Sequence, residues 1–313
     1  MTGEGSPASP GGTSREAADR KSRKVGLFPG QGIPARAVHG ALPKDAPELA
    51  VARTVLGYDL RRRVEIAARR KGATLPTAVA QPAIFVAGII SLRMAGTQGA
   101  GHDYVAGHSL GEYTALVAAG ALSFQDGLRA VGTRAEAMEA AGKAFPGTMA
   151  AVIGLDLATA EDIARRSGVE VANDNAPGQV VLAGPEEALA EAAGLVRAEG
   201  ARSVLLQVSG PFHTTGMAPA EGALRHALED IEIEAPRVPV ISNVTARPYG
   251  DAKEIRELLV AQLTSRVRFR ESLEWLYAQG VRGFDDIGPG KVVEGLAQRT
   301  FRALETVEVP ANA

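Results

Sequence analysis

Gly107-His108-Ser109-Leu110-Gly111 holds one hydroxyl between two glycines, with the apolar "DYVAG" leading in and "EYTALVAAGAL" leading out. A G-x-S-x-G element of this kind sets serine on a tight strand-to-helix turn, its hydroxyl exposed at the strand's carboxyl end. The first amides of the next helix lack internal partners and carry partial positive charge, which suits a developing oxyanion. The chemistry implied is attack by Ser109 on an activated carbonyl, and a serine needs a base for that. His213, in "VSGPFHTTGM", sits in a loop that Pro211 stiffens and that Thr214, Thr215 and Gly216 turn toward a helix. His108 is nearer in sequence, but adjacent side chains on such a turn point apart. A third group stands out in "FQDGLRAVGTRAEAMEAA", where Leu128, Val131 and Met138 form an apolar helical stripe and Arg134 falls on it. A guanidinium so placed is a part-buried cation in want of an anion; the plainer alternative is an ion pair with Glu136 or Glu139.

The elements that must position these groups read as an α/β protein of 313 residues, long enough for one large domain or two lobes. A net charge of −2 offers no global field for nucleic acid or an anionic membrane. The absence of cysteine removes disulfides, thiolate metal sites and a thiol nucleophile, and no histidine spacing suggests a metal. Residues 1–23, rich in Gly, Pro, Ser and charge, read as a disordered tail without a secretory apolar region, and 304–313 as a loose C-terminal tail. No apolar run appears long enough to span a membrane. Val25–Phe28 reads as a buried strand ending in the "PGQG" loop, followed by two or three short helices and a buried helix starting near Pro82. Residues 147–209 change texture: alternating strands and amphipathic helices, with turn chemistry at Asn173-Asp174-Asn175 and at Ala176-Pro177-Gly178, make a small α+β lobe. It interrupts a larger α/β domain made of 24–146 and 210–303.

"FPGQG", "GHSLGEY", "VGTRAEAM", "NDNAPGQVVLAG", "GPFHT" and "IGPGKVVEGL" occur in this order between about Val25 and Arg302. That order resembles the malonyl-CoA:acyl carrier protein transacylases and the discrete acyltransferases of polyketide assembly. The resemblance implies an α/β-hydrolase-like large domain with an inserted ferredoxin-like subdomain. It also implies an acyl-serine mechanism with Ser109 as nucleophile, His213 as general base and then acid, and the main-chain carbonyl of Gln262 orienting the imidazole. "KEIRELLVAQL" supports the last point, because helical spacing of Ile255, Leu258 and Leu259 ends a helix near Gln262, where carbonyls lack internal partners. By the same resemblance the amides of Leu110 and Gln31 form the oxyanion site. Arg134 would pair with the malonyl carboxylate, and Gln81, Asn173 and Met138 would line the acyl pocket.

Two departures bear on the acyl group: Ile33-Pro34 follows Gly32 where the family usually has Ser-Gln, and Ala135 follows the arginine where glycine is usual. The implied partners are malonyl-CoA or a related acyl-CoA and an acidic acyl carrier protein. No resident cofactor, no metal, no nucleic acid and no membrane are expected, the protein being a cytoplasmic monomer. "SRVRFRES", if extended, would present Arg266, Arg268 and Arg270 on one face to a carrier or to coenzyme A phosphates. Other readings are a non-malonyl or carrier-delivered acyl substrate, a thioester hydrolase that edits carriers, and a non-catalytic carrier-binding protein.

Overall fold

The computed structural model describes residues 22–96 and 101–308, so 1–21 and 309–313 of the expected tails lie outside it. The chain enters through β1 (Arg23–Phe28), whose Val25, Leu27 and Phe28 have no exposed surface, as an inner parallel strand covered on both faces requires. Three short helices follow: α1 (Ala35–Gly40), α2 (Pro47–Leu56) and α3 (Leu60–Ala68). Left-handed Gly57 closes α2, and Asp59 caps α3 by accepting from the Arg62 amide at 2.9 Å.

Helix α4 (Thr77–Met94) starts earlier than expected, so Pro82 lies inside it and not in its first turn. Proline cannot donate to the Ala78 carbonyl; the Tyr58 hydroxyl donates to that carbonyl instead, at 3.4 Å. With a mean hydropathy of 1.5 over 18 residues α4 is long and apolar enough to cross a membrane, contrary to the sequence reading, but 78% of it is buried within the protein. Its apolar character serves the core.

β2 (Tyr104–Gly107) then runs into α5 (Gly111–Ala118), and Ser123 caps the long α6 (Phe124–Ala144) by accepting from the Asp126 amide at 3.0 Å. The next unit reads β3 (Thr148–Ile153), α7 (Leu157–Ser167), β4 (Glu170–Ala176), β5 (Gln179–Gly184), α8 (Glu186–Ala198) and β6 (Arg202–Leu205). A 3-10 turn (Thr215–Ala220) leads to α9 (Glu221–Glu229), β7 (Val240–Ile241), α10 (Ala252–Ala261), β8 (Val267–Arg268), α11 (Phe269–Ala278), β9 (Val281–Asp286) and α12 (Val292–Glu308).

Two sheets result. One is parallel, in the order β7-β2-β1-β9, so all its strands end on the same edge. The other runs β6-β3-β5-β4-β8, antiparallel except that β8 joins β4 in parallel through Asn173↔Val267 and Asp174↔Arg268. The small sheet therefore extends beyond 147–209 by a strand from the larger portion.

Four expectations are corrected here. Arg23 belongs to β1 and residues 304–308 to α12, so neither is tail. Asn173-Asp174-Asn175 is not a turn; it lies within β4, where two register shifts absorb the irregularity, and the β4–β5 reversal is at Pro177-Gly178. "SRVRFRES" is extended only over β8, because α11 begins at Phe269 and rotates Arg270 away from its neighbours. Arg266 then pairs with Glu161, Arg268 with Glu271, and Arg270 with Asp174 at 2.8 Å and Glu274 at 2.6 Å.

Candidate active site

β1, β2 and β7 deliver their carboxyl ends to one edge, and the loops leaving them meet there. At the end of β2 the backbone folds back hard. A Cβ on Gly107 would lie 1.9 Å from the Gly111 carbonyl carbon, and one on Gly111 would lie 2.1 Å from the Phe28 carbonyl oxygen. Only glycines permit that approach, and it forces Ser109 to φ 51°, a left-handed conformation that side-chain-bearing residues rarely adopt. His213 shares this strain with φ 61°.

The two strained residues meet. Ser109 Oγ and His213 Nε2 are 2.7 Å apart, and His213 Nδ1 lies 2.8 Å from the Gln262 carbonyl. That carbonyl belongs to the residue capping the end of α10, where no amide of the helix can reach it. It accepts the Nδ1 proton and so leaves Nε2 as the basic nitrogen facing the hydroxyl. Burial, together with the nearby Arg134 charge, pushes the His213 pKa down to about 3, so the imidazole is neutral near pH 7.

Arg134 has no exposed surface. It donates to Gln81 Oε1 at 2.6 Å, to Ser109 Oγ at 3.0 Å and to Gln262 Oε1 at 2.8 Å, all neutral acceptors, while its Nε is buried without a hydrogen bond. Glu139, one of the alternative ion-pair partners, accepts from Lys143 and from the Ala78 amide instead. Gln81 also donates to Gln31 Oε1 at 3.0 Å and to Met138 Sδ at 3.3 Å, so Gln31, Gln81, Met138 and Arg134 form one connected wall.

The "PGQG" loop lies against the elbow. A Cβ on Gly30 would come within 2.6 Å of the His108 carbonyl oxygen, and the His108 amide donates to Phe28 O at 3.0 Å. Leu110, immediately after the nucleophile, is the residue capping the start of α5. Asn173 stands apart. It is buried on β4, but no hydrogen bond of the cluster reaches it; Asn175 Oδ1, two residues on, accepts from His108 Nε2 at 2.7 Å.

The arrangement can activate an alcohol and hold an anion beside it. The family model described as "Acyl transferase domain" matches residues 47–311. This chain belongs to that acyl transferase family. The malonyl CoA-acyl carrier protein transacylase of Bacillus subtilis is 44% identical over 236 residues, 74% of each chain. A crystal structure of an acyl-carrier-protein S-malonyltransferase from Burkholderia pseudomallei superposes with a TM-score of 0.81 at 36% identity, covering 89% of this chain and 93% of that one. A type II PKS acyl-carrier protein in complex with its malonyl-transacylase contains a chain similar at a TM-score of 0.80 and 36% identity, with 90% and 94% covered.

Two residues of this acyl transferase cluster escape a sequence reading. Asn243, just beyond β7, accepts from the Ser109 amide at 2.6 Å and donates to Gly107 O at 2.7 Å, bracketing the strained turn. Glu112, fully buried, accepts from the Asn243 amide at 3.0 Å, from the Tyr249 hydroxyl and from Gln262 Nε2. Burial raises its pKa to about 7 against those hydrogen bonds. Because its carboxylate takes the amide nitrogen of Gln262, the oxygen of that amide is left to face Arg134. The available signals were an acid in the first turn of an apolar helix and an asparagine at a parallel strand's carboxyl end, where α/β proteins place their sites.

Proposed function

We propose that the chain is a malonyl-CoA:acyl carrier protein transacylase, moving malonyl from coenzyme A to a carrier's phosphopantetheine thiol for fatty acid or polyketide synthesis. Ser109 Oγ attacks the thioester carbonyl as His213 Nε2 takes its proton. The oxyanion is held by the Leu110 and Gln31 amides, each worth about 10²–10³ in turnover for such a donor. The carbon–sulfur bond breaks and the thiolate of coenzyme A leaves with the proton from His213. The carrier thiol then gives its proton to His213 and attacks the malonyl ester; the bond to Ser109 breaks and Oγ recovers the proton. Gln262 orients the imidazole, Arg134 binds the malonyl carboxylate, and Gln81 and Met138 shape the pocket. Donor and acceptor are both thioester or thiol substrates, and no resident cofactor takes part.

The βαββαβ order of β3 to β6 supports a ferredoxin-like subdomain over 147–209. The parallel sheet with its serine elbow supports an α/β-hydrolase-like body over 24–146 and 210–303. Use of free coenzyme A thioesters supports a cytoplasmic location.

The observation that carries the acyl assignment is a fully buried guanidinium 3.0 Å from the serine hydroxyl, bonded only to neutral groups. Intact-mass labelling with malonyl-CoA and acetyl-CoA tests it. Arg134→Ala should slow malonyl labelling by about 10–10²-fold, the worth of a charge-assisted pair, and acetyl labelling by less than about threefold. Equal losses would make Arg134 a structural cation and remove the malonyl assignment. Steady release of free malonate without carrier would favour a hydrolase.

A further inference from the structure

With Arg266, Arg268 and Arg270 each neutralised by carboxylates of their own chain, a cationic surface less fully paired lies on α2, α3 and the loop before α2. A groove of about 600 Å³ is lined by Lys44, Arg53, Arg61, Arg62 and Arg69 against only two acids, Asp59 and Glu65. Glu65 is shared by Arg61 and Arg69, at 3.8 and 3.2 Å, and Asp59 is turned to the Arg62 amide as a helix cap. Lys44, Arg53 and Arg62 have no ion-pair partner among the described residues.

The groove also leads somewhere. A second depression of about 200 Å³ shares Arg69 and runs past Arg70, Lys71 and Arg36 to Pro34. Pro34 is separated from Gln31 by at most about 11 Å of extended chain, and Gln31 is hydrogen-bonded through Gln81 to the Arg134 cluster. The Ala35 amide donates to Ala73 O at 3.1 Å, which fixes the loop after α3 to the loop that leaves the oxyanion corner. Near the end of α3 stands Ile66, 59% exposed, one turn after Arg62 and followed closely by Arg69, the helix cap, and Arg70. An exposed apolar contact set among cations, of which Arg62 has no ion-pair partner among the described residues, fits an acidic protein surface better than a small anion.

We propose that this α2–α3 groove is the docking surface for the acyl carrier protein, the carrier's acidic face lying on it while the phosphopantetheine arm passes Pro34 and Gln31 to Ser109. The inference rests on the transacylase reading above and adds where the second substrate sits. Ile33-Pro34, the departure from the usual family loop, lies at the junction between groove and site, so this chain's entrance is shaped for its own carrier.

The test separates the two half-reactions. Arg53→Glu/Arg62→Glu reverses two exposed charges without touching the site, and glutamate in the first turn of α3 favours that helix. Labelling of Ser109 by malonyl-CoA should be unchanged. Discharge by holo-carrier should show a rise of about tenfold in KM and a weaker dependence on ionic strength, as loss of electrostatic steering predicts. Arg70→Glu/Lys71→Glu, at the entrance, should do the same, and Arg197→Glu/Arg202→Glu, on the small sheet side, should not. Normal labelling with unchanged carrier KM in both groove variants would overturn the docking surface and leave the transacylase reading standing. An equal rise in the KM for malonyl-CoA would give the groove to coenzyme A phosphates and overturn it too. A wild-type protein that malonyl-CoA never labels would remove the reading, and the docking proposal with it.

Discussion

In the parallel sheet, the chain leaves β1, β2 and β7 at Phe28, Gly107 and Ile241 and carries Gln31, Ser109 and Asn243 to one corner. In the five-stranded sheet, β4 and β5 spend their adjoining ends on a tight reversal at Pro177-Gly178. Its buried polar residues face the larger portion as props: Asp174 binds Arg270, and Asn175 binds His108 behind the nucleophile. Parallel strands need long crossovers, so their ends are free to gather side chains from distant sequence; hairpins close on themselves and leave little room for chemistry. The first sheet makes the site, and the second holds it steady.

Substitutions can break or sharpen that contrast. The largest effect belongs to Ser109→Ala, which should abolish the malonyl adduct in intact-mass measurement and lower transfer by about 10⁴-fold or more; an adduct elsewhere would move the chemistry away from the parallel sheet's edge. Asn243→Ala comes next. It leaves the Ser109 amide and Gly107 carbonyl buried without partners, so about 2–3 kcal/mol of stability by denaturant titration and about 10²-fold in labelling rate should go together. Loss of stability alone would make Asn243 a prop like those of the small sheet.

A smaller response is expected from pH. With His213 depressed to about 3 in the folded state, Ser109 labelling at pH 5 should stay within about threefold of its rate at pH 7. The sign for stability is the reverse of a partnered histidine: the unfolded chain binds the proton first, so this residue's contribution is present above about pH 6.5 and is lost as pH falls toward 3. Because Glu112 titrates near 7, the check is made on Glu112→Gln as well: a tenfold drop with a midpoint near 6.5 that persists there would show an imidazole open to water. The smallest catalytic effect belongs to Asp174→Asn, which should cost about 1–3 kcal/mol of stability by weakening its hold on Arg270, with transfer rates within about threefold. A large rate loss there would put chemistry in the second sheet after all.

Much of this was legible in the residues. The glycines around Ser109, the stripe carrying Arg134 and the helix end at Gln262 are local patterns with direct physical meaning, and each leads to a group now hydrogen-bonded in the cluster. The strand after residue 147 and the helix order also follow from period. What stayed hidden depends on contacts between distant segments. Alternation made "SRVRFRES" look extended, but Val267 and Arg268 pair with β4 for only two residues before α11 takes over. Asn173-Asp174-Asn175 has turn composition, yet strands on both sides hold it in the sheet. Glu112 and Asn243 carry no pattern of their own, since each is defined by partners more than a hundred residues away.

Arg134 has one more consequence. The fold encloses the Arg134 cation with no carboxylate in direct hydrogen-bond contact; Glu112, whose charge it feels, is linked to it through the Gln262 amide. On the proposed binding mode a malonyl carboxylate meets that guanidinium and offsets the charge that, after burial, holds His213 down. In that mode the far end of the acyl group would raise the basicity of the imidazole that works at its near end, and an acyl group without that tail would not.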